Sequence, residues 1–323
     1  MTAWLLRRLA AALAIIFAVV TLCFAAIHLA PGTPFLPGQD RPIDPAVVER
    51  LRARFGLDQP LPVQYARYLR ALVRGDLGES FSQRRPVVDA IASAVPNTLV
   101  LTGTALAIDF VLGVLIGVVQ AARARRRLDV ALTNATLFFY SLPTFWLGLV
   151  LLLVFGQWLD WFPVGGVTQP VLHDSMPLAL RLLDRLHHLA LPALTLGLVG
   201  AAGTARYQRA ALLEALGEDY ARTARAKGLA EPRVLIDHAL RNALLPIVTL
   251  LGLALPFLLT GAVVVETVFS WPGLGKLAAD AIAGRDYPLV IATTLISSVL
   301  VVLGSLLADL FTAAADPRVR LRA

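Results

Sequence analysis

Six apolar runs, at about 9–30, 97–120, 131–157, 189–208, 244–267 and 288–311, are each long enough to cross a bilayer, for which roughly 20 residues are needed at the helical rise. Lipid offers no partners to backbone amides, so spans of this kind must be helical. The sequence therefore predicts an all-α integral membrane protein with six transmembrane helices in a single domain over 1–323. Composition agrees: 57% of the residues are apolar and 16% charged, where a soluble domain carries about a quarter charged. Arg7 and Arg8 before the first run resemble the start of a signal peptide. The run is too long for one, however, and the "HLAPGTP" that follows is a poor small-residue cleavage site.

Orientation follows from the cations beside the spans. Arg7 and Arg8, then Arg123, Arg125, Arg126 and Arg127, then the basic stretch within 209–243, then Arg318, Arg320 and Arg322 mark one side. Short segments on the other side hold Arg181, Arg185, Lys276 and Arg285, balanced by Asp160, Asp174, Asp184, Asp280 and Asp286. The first set is expected to be cytoplasmic, with both termini there. Residues 31–96 are expected to form a large extracytoplasmic loop, since long loops cross largely regardless of charge.

A net charge of +7 could suggest nucleic acid, but the arginines are scattered among loops without interleaved aromatics, so no nucleic-acid partner is expected. Cys23 is the single cysteine and lies inside an apolar run, leaving no disulfide framework within the chain. His173, His187 and His188 do not form a spaced ligand set, and adjacent histidines on a helix do not aim at one ion, so no metal is expected. "GLGK" at 273–276 lacks the earlier Gly and the Ser or Thr of a phosphate loop, with Ser270 and Leu277 in those places. It reads as an interfacial turn after Trp271 and Pro272. No nucleotide site, catalytic residue or cofactor is expected, and energy for any transport must come from a partner or an ion gradient.

The stretch "EDYARTARAKGLAEPRVLIDHALRN", 218–242, is the polar exception between the fourth and fifth runs. Gly217, Glu218 and Asp219 give a helix start with acids in its first turn, and Arg225 and Lys227 place cations in the last turn before Gly228 at C′. "GLAEP" makes a corner and Pro232 suits the first turn of a second helix. A basic loop is ordinary in a membrane protein. Composition does not require, though, the small-residue face of Ala221, Ala224 and Gly228, which would let another backbone come close. In the outer loop, Val47, Leu51 and Phe55 mark an amphipathic helix that Asp44 can cap, with Pro45 at its first position. Tyr65, Leu69, Leu72 and Val73 repeat the pattern.

"YARTARAKGL" and "HALRNALLP" resemble the cytoplasmic loop of binding-protein-dependent ABC transporter permeases, in the peptide and nickel branch. "FGLDQPLPVQYARYL", "RGDLGESFSQRRPVVDAI", "PNTLVLTGTALAI", "VVETVFSWPGLGKL" and the closing "ADPRVR" resemble the same branch, and are spread from residue 55 to 320. The general loop pattern opens Glu-Ala-Ala, whereas Arg222, Thr223 and Ala224 stand here before Gly228, and Pro246 falls later than that pattern places its Pro. Both departures resemble the peptide-branch form. The resemblance implies a permease subunit of an ABC importer of the bacterial inner membrane. Its partners would be a second, homologous permease, two ATP-binding subunits and an extracytoplasmic substrate-binding protein facing 31–96, with lipid around it. It implies that Tyr220, Arg222, Thr223, Ala224, Arg225, Ala226, Lys227, Gly228 and Leu229 form the coupling helix that docks on the ATPase. The cargo would be a peptide or a related small solute.

An ion-coupled carrier is the alternative from another class, and would want acids at mid-span. Asp109 is the one candidate, either lining the pathway or serving as a hydrogen-bonded Asp facing the bundle. His28, Glu266 and Asp309 fall near span ends, where interfacial solvation is the plainer expectation. Pro143 and Pro256 are expected to interrupt their helices.

Overall fold

The computed structural model describes residues 2–29, 49, 58–259 and 262–315, and they are helical with no strand among them beyond an isolated Glu79–Pro86 bridge. The helices are α1 (Thr2–Leu29), α2 (Leu61–Val73), α3 (Val87–Ala122), α4 (Arg127–Ser141), α5 (Thr144–Trp158), α6 (Leu178–Gly217), α7 (Asp219–Ala226), α8 (Glu231–Ala243), α9 (Leu245–Leu259), α10 (Val263–Val268), α11 (Leu274–Ala283) and α12 (Tyr287–Ala315). The amphipathic helix expected around Asp44, Pro45, Val47, Leu51 and Phe55 lies outside the described residues, Asp309 is described only as a helical position, and α2 occupies the second predicted segment.

Among the described residues four helices are long and apolar enough to cross a membrane: Ala10–Leu29 of α1, then α3, α6, and Tyr287–Ala308 of α12. Two bent pairs bring the number to six if each is one span: α4 with α5, bent by 102°, and α8 with α9, bent by 41°. The first bend falls at Leu142 and Pro143, both extended, where proline cannot donate to the preceding turn. The second corrects an expectation. Helix α9 runs through Pro256 to Leu259, and the bend lies at Leu244, ahead of Pro246. Pro96 and Pro192 likewise sit inside continuous helices.

The chain divides into two compact units, 1–96 with 273–299, and 97–272 with 300–323. In the second unit α3 and α6 pack through small residues, as membrane helices do when no hydrophobic effect drives them together. A Cβ on Gly113 would run into Thr204, and one on Gly117 into the Ala205 carbonyl and the Gln208 stem. A second seam joins α10 to α5 and α6, where Val265 and Phe269 bury against Leu191. Here the expectation for Glu266 fails: it lies in α10 rather than at the solvated end of a long span, is fully buried, and accepts from Thr98 Oγ1 at 2.9 Å. Trp271 is buried close by, its indole N–H donating to the Asn97 carbonyl at 3.0 Å.

In the first unit, the turn between α2 and α3 closes on the residue that starts α12. Asp286 is fully buried and accepts from Ser80 Oγ at 2.5 Å, Ser82 Oγ at 2.7 Å and Ser82 N–H at 2.9 Å. Its other carboxylate oxygen accepts from the Leu289 N–H at 3.3 Å, as an acid placed ahead of a helix does. His28 stacks on Phe24 at 4.0 Å and meets Gln64 of α2 at 3.2 Å.

Candidate functional site

The polar stretch 218–243 folds into two short helical arms. Glu218 is extended and stops α6, its carbonyl accepts the first bonds of α7 from Ala221 and Arg222, and Asp219 stands in the first turn, where the helix dipole favours an acid. Gly228 ends α7 at φ +80°, in the left-handed conformation that glycine adopts without a Cβ penalty. The Gly228 N–H reaches the Arg225 carbonyl at 2.9 Å and the Leu229 N–H the Ala224 carbonyl at 3.3 Å. That pair of bonds is a Schellman closure, and Leu229 folds back to add its hydrophobic contact.

The small face has a different use from the one the sequence suggests. Ala221 is fully buried and Ala224 nearly so, both against Val234 of the returning arm α8. The backbone that comes close is therefore this chain's own. Arg225, though exposed, bridges across the hairpin, donating to Glu231 at 2.6 Å and to the Leu216 carbonyl at 3.1 Å, which ties α6, α7 and α8 together. Outward remain Tyr220, Arg222, Thr223, Ala226, Lys227 and Gly228. Arg222 makes one exposed contact, with Asp219 at 3.4 Å, and Lys227 has no ion-pair partner among the described residues. Of the nine residues expected to couple, Ala224 is thus interior, Leu229 half-buried and Arg225 tied within the hairpin.

Behind the hairpin, Ala239 and Ala243 of α8 bury against Leu212 and Ala215 of α6 and Ala121 of α3. One turn further along α6, Arg209 grips Asp129 of α4 with two bonds of 2.8 Å, and Asp129 also accepts from the Arg125 N–H. A bidentate guanidinium–carboxylate pair fixes distance and orientation together. Sequence reasoning missed this clasp. Its one signal is an acid two residues after a run of arginines, which also reads as an ordinary N-terminal helix acid.

Asp109 faces α6. It accepts from Thr204 Oγ1 at 2.6 Å, is half-buried, and lies where a Cβ on Gly200 would overlap its carboxylate. His187 and His188 diverge: His187 meets the Trp161 carbonyl, while His188 and His173 both contact Asp184, at 3.2 and 2.7 Å. Among the described residues no cluster of three or more His, Cys, Asp or Glu could hold a metal.

Comparison with known proteins places these features in a lineage. Residues 113–321 match the family described as "Binding-protein-dependent transport system inner membrane component", and residues 1–102 match its N-terminal component. An oligopeptide transport system permease protein of Bacillus subtilis is 41% identical over 320 residues, 99% of each chain. A di/tripeptide transport system permease protein of Pseudomonas aeruginosa is 41% identical over 335 residues, also 99% of each. A glutathione transport system permease protein of Escherichia coli is 39% identical over 317 residues, 98% of each. Among solved structures, the methionine ABC transporter MetNI in an inward-facing conformation superposes with a TM-score of 0.53 at 18% identity, covering 71% of this chain and 97% of that one.

Proposed function

This chain belongs to the family of binding-protein-dependent transport system inner membrane components, and from that premise we propose that it forms, with a second permease, the pathway along which a peptide or related small solute crosses the membrane. It is a multi-pass inner-membrane transport subunit and not an enzyme; ATP hydrolysis lies in partner subunits. In the proposed assembly a homologous but different permease completes the pathway, two ATP-binding subunits dock on the cytoplasmic side, and an external binding protein delivers cargo to the 31–96 side. The six spans, both termini and residues 209–243 take the orientation that the arginine distribution favours. Relatives named for oligopeptides, di/tripeptides and glutathione support peptide-like cargo.

The observation that carries the coupling role is the construction of the 218–243 hairpin. Its alanines hold it together from within and the Arg225–Glu231 pair spans it on the surface. Tyr220, Arg222, Thr223, Ala226 and Lys227 are left outward on a rigid, Schellman-closed corner. A loop serving only to connect α6 to α8 does not require that preorganisation. Docking on an ATPase does, because motion of one subunit reaches the other only through a stiff element. Asp109 is the candidate pathway residue, with Thr204 fixing its rotamer.

Two measurements test this reading. With Cys23 replaced by Ser, single cysteines at Gln83 and Ala230 are treated with an impermeant thiol reagent in intact cells; labelling at Gln83→Cys alone is expected. Labelling at Ala230→Cys alone would reverse the topology. Uptake is then followed during ATP depletion and, separately, on collapse of the proton gradient. Loss on ATP depletion only is expected, in the parent and in Asp109→Asn, while uptake that follows the gradient and ignores ATP would instead make the chain part of an ion-coupled carrier.

A further inference from the structure

A cavity of about 280 Å³ opens in the first unit between the Leu29 end of α1, helix α2, the turn at 76–81 and the first turn of α12. Its wall is aromatic: Phe24 stacks on His28 at 4.0 Å and on Tyr68 at 6.0 Å, and Tyr287 lies 5.8 Å from His28. Leu77, Phe81 and Ile291 add apolar surface, and the charged residues that line it are Arg67 from α2 and Asp76 and Glu79 from the turn. Neither Arg67 nor Glu79 has a side-chain partner among the described residues. Asp76 is fixed by accepting from the Gly78 N–H at 2.9 Å.

Its place indicates what would fill it. The cavity sits at the ends of α1 and α12, two helices long and apolar enough to cross a membrane, and span ends are where lipid headgroups and interfacial aromatics meet. A guanidinium calls for an anionic oxygen; two carboxylates beside aromatic faces call for an ammonium.

We propose that this pocket binds the phosphoethanolamine headgroup of a membrane lipid. Arg67 takes the phosphate oxygens, Glu79 and Asp76 accept from the primary ammonium, and the rings of Phe24 and Tyr287 cover the carbons between. The site ties α2 and the turn to the membrane surface without any contribution from the hairpin at 218–243.

The test is native mass spectrometry of the assembled transporter in detergent, offered equal amounts of phosphatidylethanolamine, phosphatidylcholine and phosphatidylglycerol. Phosphatidylethanolamine is expected to be retained about tenfold over the other two, the size of one charge-assisted hydrogen bond. Glu79→Gln should abolish its preference over phosphatidylcholine, whose ammonium cannot donate. Arg67→Ala should lower retention of all three lipids. An unchanged melting temperature of each variant shows that the fold is intact. Equal retention of the three lipids, or a phosphatidylethanolamine adduct indifferent to both Glu79→Gln and Arg67→Ala, would overturn the proposal. So would displacement of the bound lipid by millimolar glycylglycine, which would identify the pocket as one for soluble zwitterions.

Discussion

The turn at 76–86 and the hairpin at 218–243 are both polar, both follow a helix, and both are closed with the help of a glycine at positive φ, Gly75 at +75° and Gly228 at +80°. They use their polar groups in opposite directions. In the turn, Ser80 and Ser82 point inward to a fully buried Asp286. In the hairpin, alanines point inward and Tyr220, Arg222 and Lys227 point out. A segment whose polar groups close on one another stabilises its own chain, whereas one that buries only small apolar residues and leaves its cations outside presents a surface. Damage to the first should therefore appear as lost stability, and damage to the outer face of the second as lost association.

The largest effect is expected at Asp286. Asp286→Ala leaves the donors of Ser80 and Ser82 without their buried acceptor and removes the cap on α12, at a cost of about 3 kcal/mol or more. Thermal unfolding in detergent should show it, together with faster proteolysis within 76–86; an unchanged melting temperature would mean that the turn does not depend on this carboxylate. Ala221→Leu comes next. Overpacking the fully buried contact with Val234 should cost about 1–3 kcal/mol, confined to the hairpin and visible as protease cleavage near Gly228 with the spans still inserted. The smallest stability effect is expected for Lys227→Ala and Arg222→Ala, within about 0.5 kcal/mol, since the one contact between them is an exposed pair. If either unfolds the hairpin, the division between interior and surface is wrong.

Much of this division was legible in the sequence, and the exceptions share a physical cause. Spans are read from apolar length alone, and α1 and α12 are among the helices long and apolar enough to cross a membrane. The Gly228 corner was legible because a helix C′ position demands a residue at ease with positive φ. The expectations that failed depend on what lies across the chain. Pro143 breaks its helix and Pro256 does not, a difference that residue type alone does not carry. Glu266 reads as interfacial until Thr98, far away in sequence, is found beside it. The clasp of Arg209 on Asp129 joins residues 80 apart, and no local pattern announces such a pair. Ala221 and Ala224 form a small face in the sequence, but only the path of α8 shows that the backbone packed on it is the chain's own.

Gly75 and Gly228 allow the most direct test of the proposed coupling role, because they carry the same backbone strain in different places. Both have positive φ, and a Cβ on either meets nothing within 4 Å, so Gly75→Asp and Gly228→Asp should each cost roughly 1 kcal/mol in strain and nothing in internal clashes. With insertion checked in parallel, the amount of ATPase subunit that co-purifies with each variant should differ. Gly228→Asp is expected to lose most of the ATPase and to uncouple hydrolysis from uptake, while Gly75→Asp retains it. Equal ATPase retention by the two variants, with normal transport by Gly228→Asp, would contradict the account and leave the hairpin as a basic connecting loop.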